Sequence, residues 1–220
     1  MASEILTQSR CEFLVSDVFS GYGKAVRETN VFRKNNNLPK IVNIYCNAHA
    51  RRKFKEAVDA FADEASFFSE KYQKIYHLES KTKGLSAAEI LKIPKEMSPY
   101  FTAIRDRATA NIGSYSSKSS IGKAMGYFLK NYVEFTRFQQ NESLPIDNNP
   151  QERLMRNPVI GRKTWYGTHS KRNAETAAIL FSIVETCKLN KVNPREYLKN
   201  LVRDLHAGKT SYTPAQFKTQ

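Results

Sequence analysis

The sequence predicts a mixed α/β protein that is mostly helical. Two short runs rich in β-branched and aromatic residues, CEFLVS (11–16) and IVNIYC (41–46), flank a stretch with helical spacing. A strand, a helix and a strand in about 35 residues is a βαβ-like unit, and parallel strands in such a unit are buried. From residue 50 the period changes. Phe54, Val58, Phe61, Ala65, Phe68, Tyr72 and Ile75 recur at spacings of 4, 3, 4, 3, 4 and 3, an apolar helical seam.

Element by element, the first run ends at Asp17, and Phe19, Tyr22 and Val26 predict a short helix over 19–29. RKNNNLP (33–39) has the composition of a loop. Breaks are expected at 81–86, at Pro94 and at Pro99, with helices over 100–112 and 118–139. Ile121, Met125, Phe128, Tyr132 and Phe135 share one face of the latter. Residues 50–140 are therefore expected as antiparallel helices standing apart from the strands. NESLPIDNNP (141–150) closes this block, and a short helix should run from Pro150 to just before Pro158. Residues 174–189 are apolar on most of their surface and should be buried. A last helix should run from Asn193-Pro194 to about His206, with a frayed tail after Gly208.

Composition narrows the classes. The chain has 220 residues, 40% of them apolar and 25% charged, enough for a core and too apolar for a disordered chain. No window approaches the roughly 18 apolar residues of a membrane span, and the N-terminus lacks a signal-peptide core. Three scattered cysteines suit a reducing, cytoplasmic setting. Lys and Arg number 35 against 21 Asp and Glu, a formal charge of +14. The bases cluster, as Arg51, Arg52 and Lys53 in RRKFK, and as Arg153, Arg156, Arg162 and Lys163. Clustered bases without matching acids favour a polyanion, because neutralising phosphates releases counterions. Trp165, among the second cluster, can stack on bases.

The candidates for chemistry are few. Asp17 stands at the carboxyl end of a strand, where open α/β sheets gather their sites, and its oxygens suit Mg²⁺. A single Asp there more often opens a turn. Glu152 lies in Asn149-Pro150-Gln151-Glu152, which reads as helix cap, N1, N2 and N3; the pattern repeats at Asn193-Pro194-Arg195-Glu196. By spacing alone Glu152 is a capping residue, and only the surrounding Asn, Arg and aromatic residues lift it. Cys46 and His49 form C-x₂-H after the second strand; two ligands do not make a zinc site, and a buried Cys beside a hydrogen-bonded His is the better reading. No catalytic serine triad, P-loop or G-x-G-x-x-G occurs.

Four segments in order, SDVFSGYGKAV (16–26), YCNAHARRKFKEA (45–57), LPIDNNPQERLMRNPVIGRKTWYG (144–167) and AAILFSIVETCKLNKVNPREYLKNLV (177–202), resemble the bacterial insertion-sequence transposase family numbered sixty-six. The resemblance covers about residues 4–206. It implies a truncated ribonuclease H-like core with a large α-helical insertion and a C-terminal helical element. Residues 1–49 would be partial core, 50–143 the insertion, 144–173 the core segment with Glu152, 174–207 the C-terminal element and 208–220 a flexible tail. It implies a DDE carboxylate triad in which Asp17 matches the second aspartate and Glu152 the glutamate, both holding Mg²⁺ or Mn²⁺ and turned toward each other. Cys46 and His49 would orient the insertion, and Asn149 would cap the helix of Glu152. Arg51, Arg52, Lys53, Arg153, Arg156, Arg162, Lys163 and Trp165 would contact double-stranded DNA.

The sequence departs from the family in two respects. Its first aspartate and first three core strands lie upstream of the matching segments, leaving the two-metal site incomplete. WYGTHS replaces the commoner W-x-F-x-G-S. The implied function is DNA cleavage and strand transfer, this chain being a C-terminal portion, alone or co-assembled with a full-length transposase. The alternative is a catalytically inactive DNA-binding or inhibitory fragment. Lacking its neighbour, the strand ending at Asp17 should promote self-association or leave residues 1–50 poorly ordered.

Overall fold

Both β-branched runs form strands. In the computed structural model, which describes residues 2–82, 85–90, 92–141, 143–164 and 167–217, β1 (Phe13–Ser16) pairs in parallel with β2 (Val42–Tyr45), Phe13 opposite Val42 and Ser16 opposite Tyr45. A first helix, α1 (Ala2–Gln8), precedes them, and α2 (Ser20–Asn35) connects them. Residues 2–50 thus carry defined elements, with Ala25, Val26 and Ile44 buried. Among the described residues the sheet has these two strands only, and 70% of those residues are helical.

Helix α2 runs well past the expected residue 29, and Arg33 is the reason. Its side chain is buried, and its guanidinium donates to the carbonyls of Ser9 (2.6 Å), Cys11 (2.8 Å) and Pro39 (2.9 Å). A buried cation has to be hydrogen-bonded, and the helical turn at 33 aims it at those carbonyls. The helix then closes with Asn37 in the left-handed region (φ 53°) and the N–H of Leu38 donating to Arg33 O at 2.9 Å, a Schellman ending.

The apolar seam is split between two helices, α3 (Asn47–Lys55) and α4 (Ala62–Ser80). Val58 and Phe61 fall in the intervening turn. Phe54 stacks on Phe68 with ring centroids 4.3 Å apart. In one continuous helix those residues would be about 21 Å apart along the axis, so their contact requires the chain to reverse. After a short helix, α5 (Ala87–Ile90), α6 (Ile93–Asn111) includes both prolines expected to break it. Pro94 sits in the first turn, where its missing N–H costs nothing. Pro99 deprives the Lys95 carbonyl of a donor, but both residues are exposed, so water replaces it. Next come α7 (Ser120–Lys130) and α8 (Tyr132–Thr136).

These helices do not stand apart from the strands. Ile44 of β2 belongs to the same buried cluster as Phe54, Phe68, Tyr72, Phe101, Phe128 and Phe135. Helices α4 and α6 are clamped by Glu64, whose buried carboxylate accepts from Arg107 (2.7 Å) and Asn111 (2.8 Å).

Residues 1–149 form one compact unit and 150–220 a second. Helix α9 (Asn149–Thr164) begins at the end of the first and continues through Pro158. A proline removes one hydrogen bond, but its fixed φ is itself helical. The second unit also holds α10 (Lys171–Leu189) and α11 (Pro194–His206), the latter capped by Asn193, whose side chain accepts from Arg195 N. Helix α10 was expected to be buried and is mostly exposed, Ile179 by 60% and Leu189 by 66%. Its apolar residues lie all round the helix, and its neighbours cover only part of it.

The tail expected to fray folds back instead, as far as Phe217. Tyr197 is buried, donates to the Tyr212 carbonyl at 2.6 Å and meets the rings of Tyr212 and Phe217. Three aromatic rings supply the apolar contact that a polar tail lacks. No helix among the described residues is long and apolar enough to cross a membrane.

Arg107 holds the Glu64 carboxyl below the usual carboxylate range. Glu64→Ala should therefore lower the unfolding free energy by about 1–2 kcal/mol at neutral pH, reduced from a fully buried pair because Arg107 is half exposed. A group with a depressed folded pKa stabilises above its unfolded value, and that contribution is lost as pH falls through the folded one. Urea unfolding of both proteins should differ at pH 7 and converge in acid. A difference that does not depend on pH would sink the ion-pair account.

Candidate active site

Parallel pairing sends the carboxyl ends of β1 and β2 to the same side of the sheet. Asp17 follows β1 there, and Cys46 follows β2 and leads into α3. Asp17 is half-buried and its Oδ1 accepts the N–H of Phe19 at 3.2 Å. That is the turn-opening role a lone Asp would have, and it leaves the carboxylate at an open recess of about 320 Å³.

Helix α3 and the residue that caps its end supply one wall of the recess. His49, Arg52, Lys53 and Glu56 are spaced by 3, 1 and 3 residues, so they share a helical face. Lys53 Nζ lies 4.7 Å from the ring centroid of Tyr127, a cation–π contact. Tyr127, from α7, lines the same recess. Its hydroxyl is pushed up in pKa, first by burial and then by the Asp17 charge. The RRKFK run therefore divides. Arg52 and Lys53 face the recess, Phe54 enters the core, and Arg51 lies 5.0 Å over the ring of Tyr76.

Cys46 is fully buried and its thiol is pushed up in pKa, chiefly by burial, while backbone N–H groups of Asn148, His49 and Ala48 act against that rise. The residue between Cys46 and Ala48 drew no notice in the sequence. Asn47 is fully buried. Its Nδ2 donates to the carbonyls of Phe135 (2.9 Å) and Ile146 (3.3 Å), its backbone N–H donates to Ile146 O (3.1 Å), and its Oδ1 accepts from the Tyr72 hydroxyl (3.4 Å). A lone Asn inside a basic helix carries no periodic signal, and only the fold shows its role.

Asp147, close to Glu152 in sequence, matches no member of the triad that the resemblance implies. It is buried, its Oδ2 accepts from the Tyr76 hydroxyl (3.0 Å) and from Asn149 Nδ2 (2.7 Å), and its Oδ1 accepts the N–H of Asn149 (3.0 Å). The helix expected to be capped by Asn149 instead contains it as first residue, with Asp147 receiving its N–H. Asn149 acts as donor, because a carboxylate two residues upstream outcompetes an amide as acceptor.

Glu152 lies in the first turn of α9, a favourable place for a negative charge. Arg153 and Arg156 follow it, and Arg162 and Lys163 occupy the last turn, all exposed. Trp165 lies outside the described residues. Asp17 belongs to the first unit and Glu152 to the second, and each is described within its own. Among the described residues no three His, Cys, Asp or Glu side chains gather as a metal site.

The first unit thus places an acid at a strand's carboxyl end beside a charged face of α3. Residues 1–176 match the family described as Transposase IS66 family, and residues 182–213 match the IS66 C-terminal element. The chain belongs to the IS66 transposase family. Similar curated proteins come from Sinorhizobium fredii (strain NBRC 101917 / NGR234). Uncharacterized protein y4hP is 29% identical over 172 residues, 72% of this chain and 31% of the relative. Uncharacterized protein y4jD is 26% identical over 169 residues, 76% of this chain and 33% of the relative. The chain thus spans about a third of the length of these relatives. No solved structure matches it.

Removing Asn47 strands the Phe135 carbonyl and the Tyr72 hydroxyl in the core. Asn47→Ala should cost about 3 kcal/mol and Tyr76→Phe about 1 kcal/mol. Denaturant titrations showing equal, small losses would refute the central place of Asn47.

Proposed function

We propose that this chain is the C-terminal part of a DDE-type transposase, handling double-stranded DNA at the recess of Asp17. The observation that carries the reading is the convergence of Asp17, Arg52 and Lys53 on one recess, in a chain whose first 176 residues match a transposase family. The parallel β1–α2–β2 unit with the acid at the carboxyl end of β1 supports its assignment as part of a ribonuclease H-like core.

In this reading Arg52 and Lys53 neutralise the phosphates of a strand laid across the recess. Lys53 is held against Tyr127, which limits its freedom and presents its charge in one place. Arg153, Arg156, Arg162 and Lys163 extend the positive surface of α9, with Arg51 a further contact. Asp17 and Glu152 are two carboxylates of the triad. Their oxygens are the hard donors that Mg²⁺ or Mn²⁺ takes, and such a cation, when bound, would stabilise charge on the phosphate being displaced. A second reading is a catalytically inactive DNA-binding or inhibitory fragment, acting in a homo-oligomer or beside a longer transposase.

Binding should be mainly electrostatic. Affinity for duplex DNA should fall steeply between low and moderate salt, and Ala at Arg153, Arg162 and Lys163 should weaken it more than Ala at Lys199 and Arg203. Fluorescence anisotropy that is flat with salt would refute DNA binding as proposed. Incubating the purified chain with Mg²⁺ or Mn²⁺ and DNA separates the two readings. Strand cleavage lost in Asp17→Ala and Glu152→Ala supports a working enzyme, and binding without cleavage supports the inactive fragment.

A further inference from the structure

We infer that Phe19, with Tyr22 beside it, is a stacking platform for an unpaired nucleobase of DNA whose backbone lies on the Asp17 recess, an inference that rests on the DNA-handling role proposed above.

Phe19 is 63% exposed and Tyr22 is 42% exposed. Their ring centroids are 5.9 Å apart at 78°, an edge-to-face pair open to solvent. An apolar ring left in water is ordinary when isolated, but this one is seated. Its backbone N–H is held by the Asp17 carboxylate at 3.2 Å. Its ring crosses Gly21, where a Cβ would lie 2.5 Å from Phe19 Cε1. Glycine weakens a helix, and here it occupies the second position of α2, where any side chain would push the ring away. The Phe19 backbone is therefore anchored at Asp17, and its ring lies over Gly21 while staying exposed.

The surroundings decide the occupant. Phe19 lines the same recess as Arg52 and Lys53. An apolar protein segment seated on the ring would meet the charges of Arg52, Lys53, Asp17 and Glu56 in the same recess. A nucleotide meets both surfaces with matching chemistry, its phosphate toward the cations and its base on the ring. Aromatic rings stack on any base without regard to sequence. A base within a duplex has both faces occupied by its neighbours, so the ligand is an unpaired base, as at a strand end or an opened step.

The test compares the 220-residue chain on a blunt duplex and on the same duplex with a short single-stranded overhang, by anisotropy at fixed salt. The overhang should bind about tenfold tighter. Phe19→Leu should erase that preference and Phe19→Tyr should keep it, with far-UV circular dichroism unchanged because the ring is exposed. Abasic sugars in place of the overhang bases should erase it for the unaltered chain. No overhang preference, a preference surviving Phe19→Leu, or tight binding of the abasic overhang would each overturn the platform while blunt-duplex binding, sensitive to Arg52→Ala and Lys53→Ala, leaves the DNA-handling role standing. Absence of any DNA binding would remove both. A Phe19→Leu protein whose overhang preference persists but whose self-association falls in sedimentation would assign the ring to a second protein chain instead.

Discussion

One buried amide organises the first unit. Asn47 stands where β2 passes into α3 and meets the carbonyls of Phe135 and Ile146 and the hydroxyl of Tyr72. Those partners come from α8, from the segment leading to α9, and from α4. A buried polar side chain with this many partners is unforgiving, because any displacement leaves a donor or acceptor unpaired in a low-dielectric interior. The direction in which α3 leaves the sheet is set here. So is the face it turns to Asp17, which carries His49, Arg52 and Lys53.

The same logic governs the charges. The chain carries a formal +14 on 220 residues, yet part of that charge is committed within the fold. Arg33 is buried against backbone carbonyls, and Arg107 closes over Glu64. Arg51 and Lys53 stay at the surface, over the rings of Tyr76 and Tyr127. What remains for a polyanion is a smaller set of cations held in defined places, and two of them share the Asp17 recess with an exposed aromatic ring. Cations ordered on aromatic rings lose less freedom on meeting a phosphate than cations free in solvent.

The acids divide in a similar way. Asp17 is exposed enough to act on a ligand and is still held by the Phe19 N–H. Asp147, a few residues from Glu152 in sequence, is buried under Tyr76 and committed to the start of α9. Both were visible in the sequence as carboxylates near candidate chemistry. Burial and hydrogen bonding distinguish the half-buried carboxylate that lines a recess from the buried one that supports the fold.

The residues alone determined the strand–helix–strand order, the helical remainder, the position of Asp17 at a strand's carboxyl end and the clustering of bases, because these follow from local periodicity and chain order. The family was legible as well, from four segments in sequence. Tertiary structure decided the rest. The seam broke at residues 56–61 because Phe54 had to reach Phe68, and α2 ran on to Asn35 because Arg33 had carbonyls to satisfy. Pro99 and Pro158 stayed within helices that composition ended, and the tail folded back because Tyr197 offered it a ring and a hydroxyl to pack on. The roles of Asn47 and Asp147 depend on partners 99 and 71 positions away, Ile146 and Tyr76. No local pattern announces such contacts, since a hydrogen bond or close approach of this kind exists only once the intervening chain has folded.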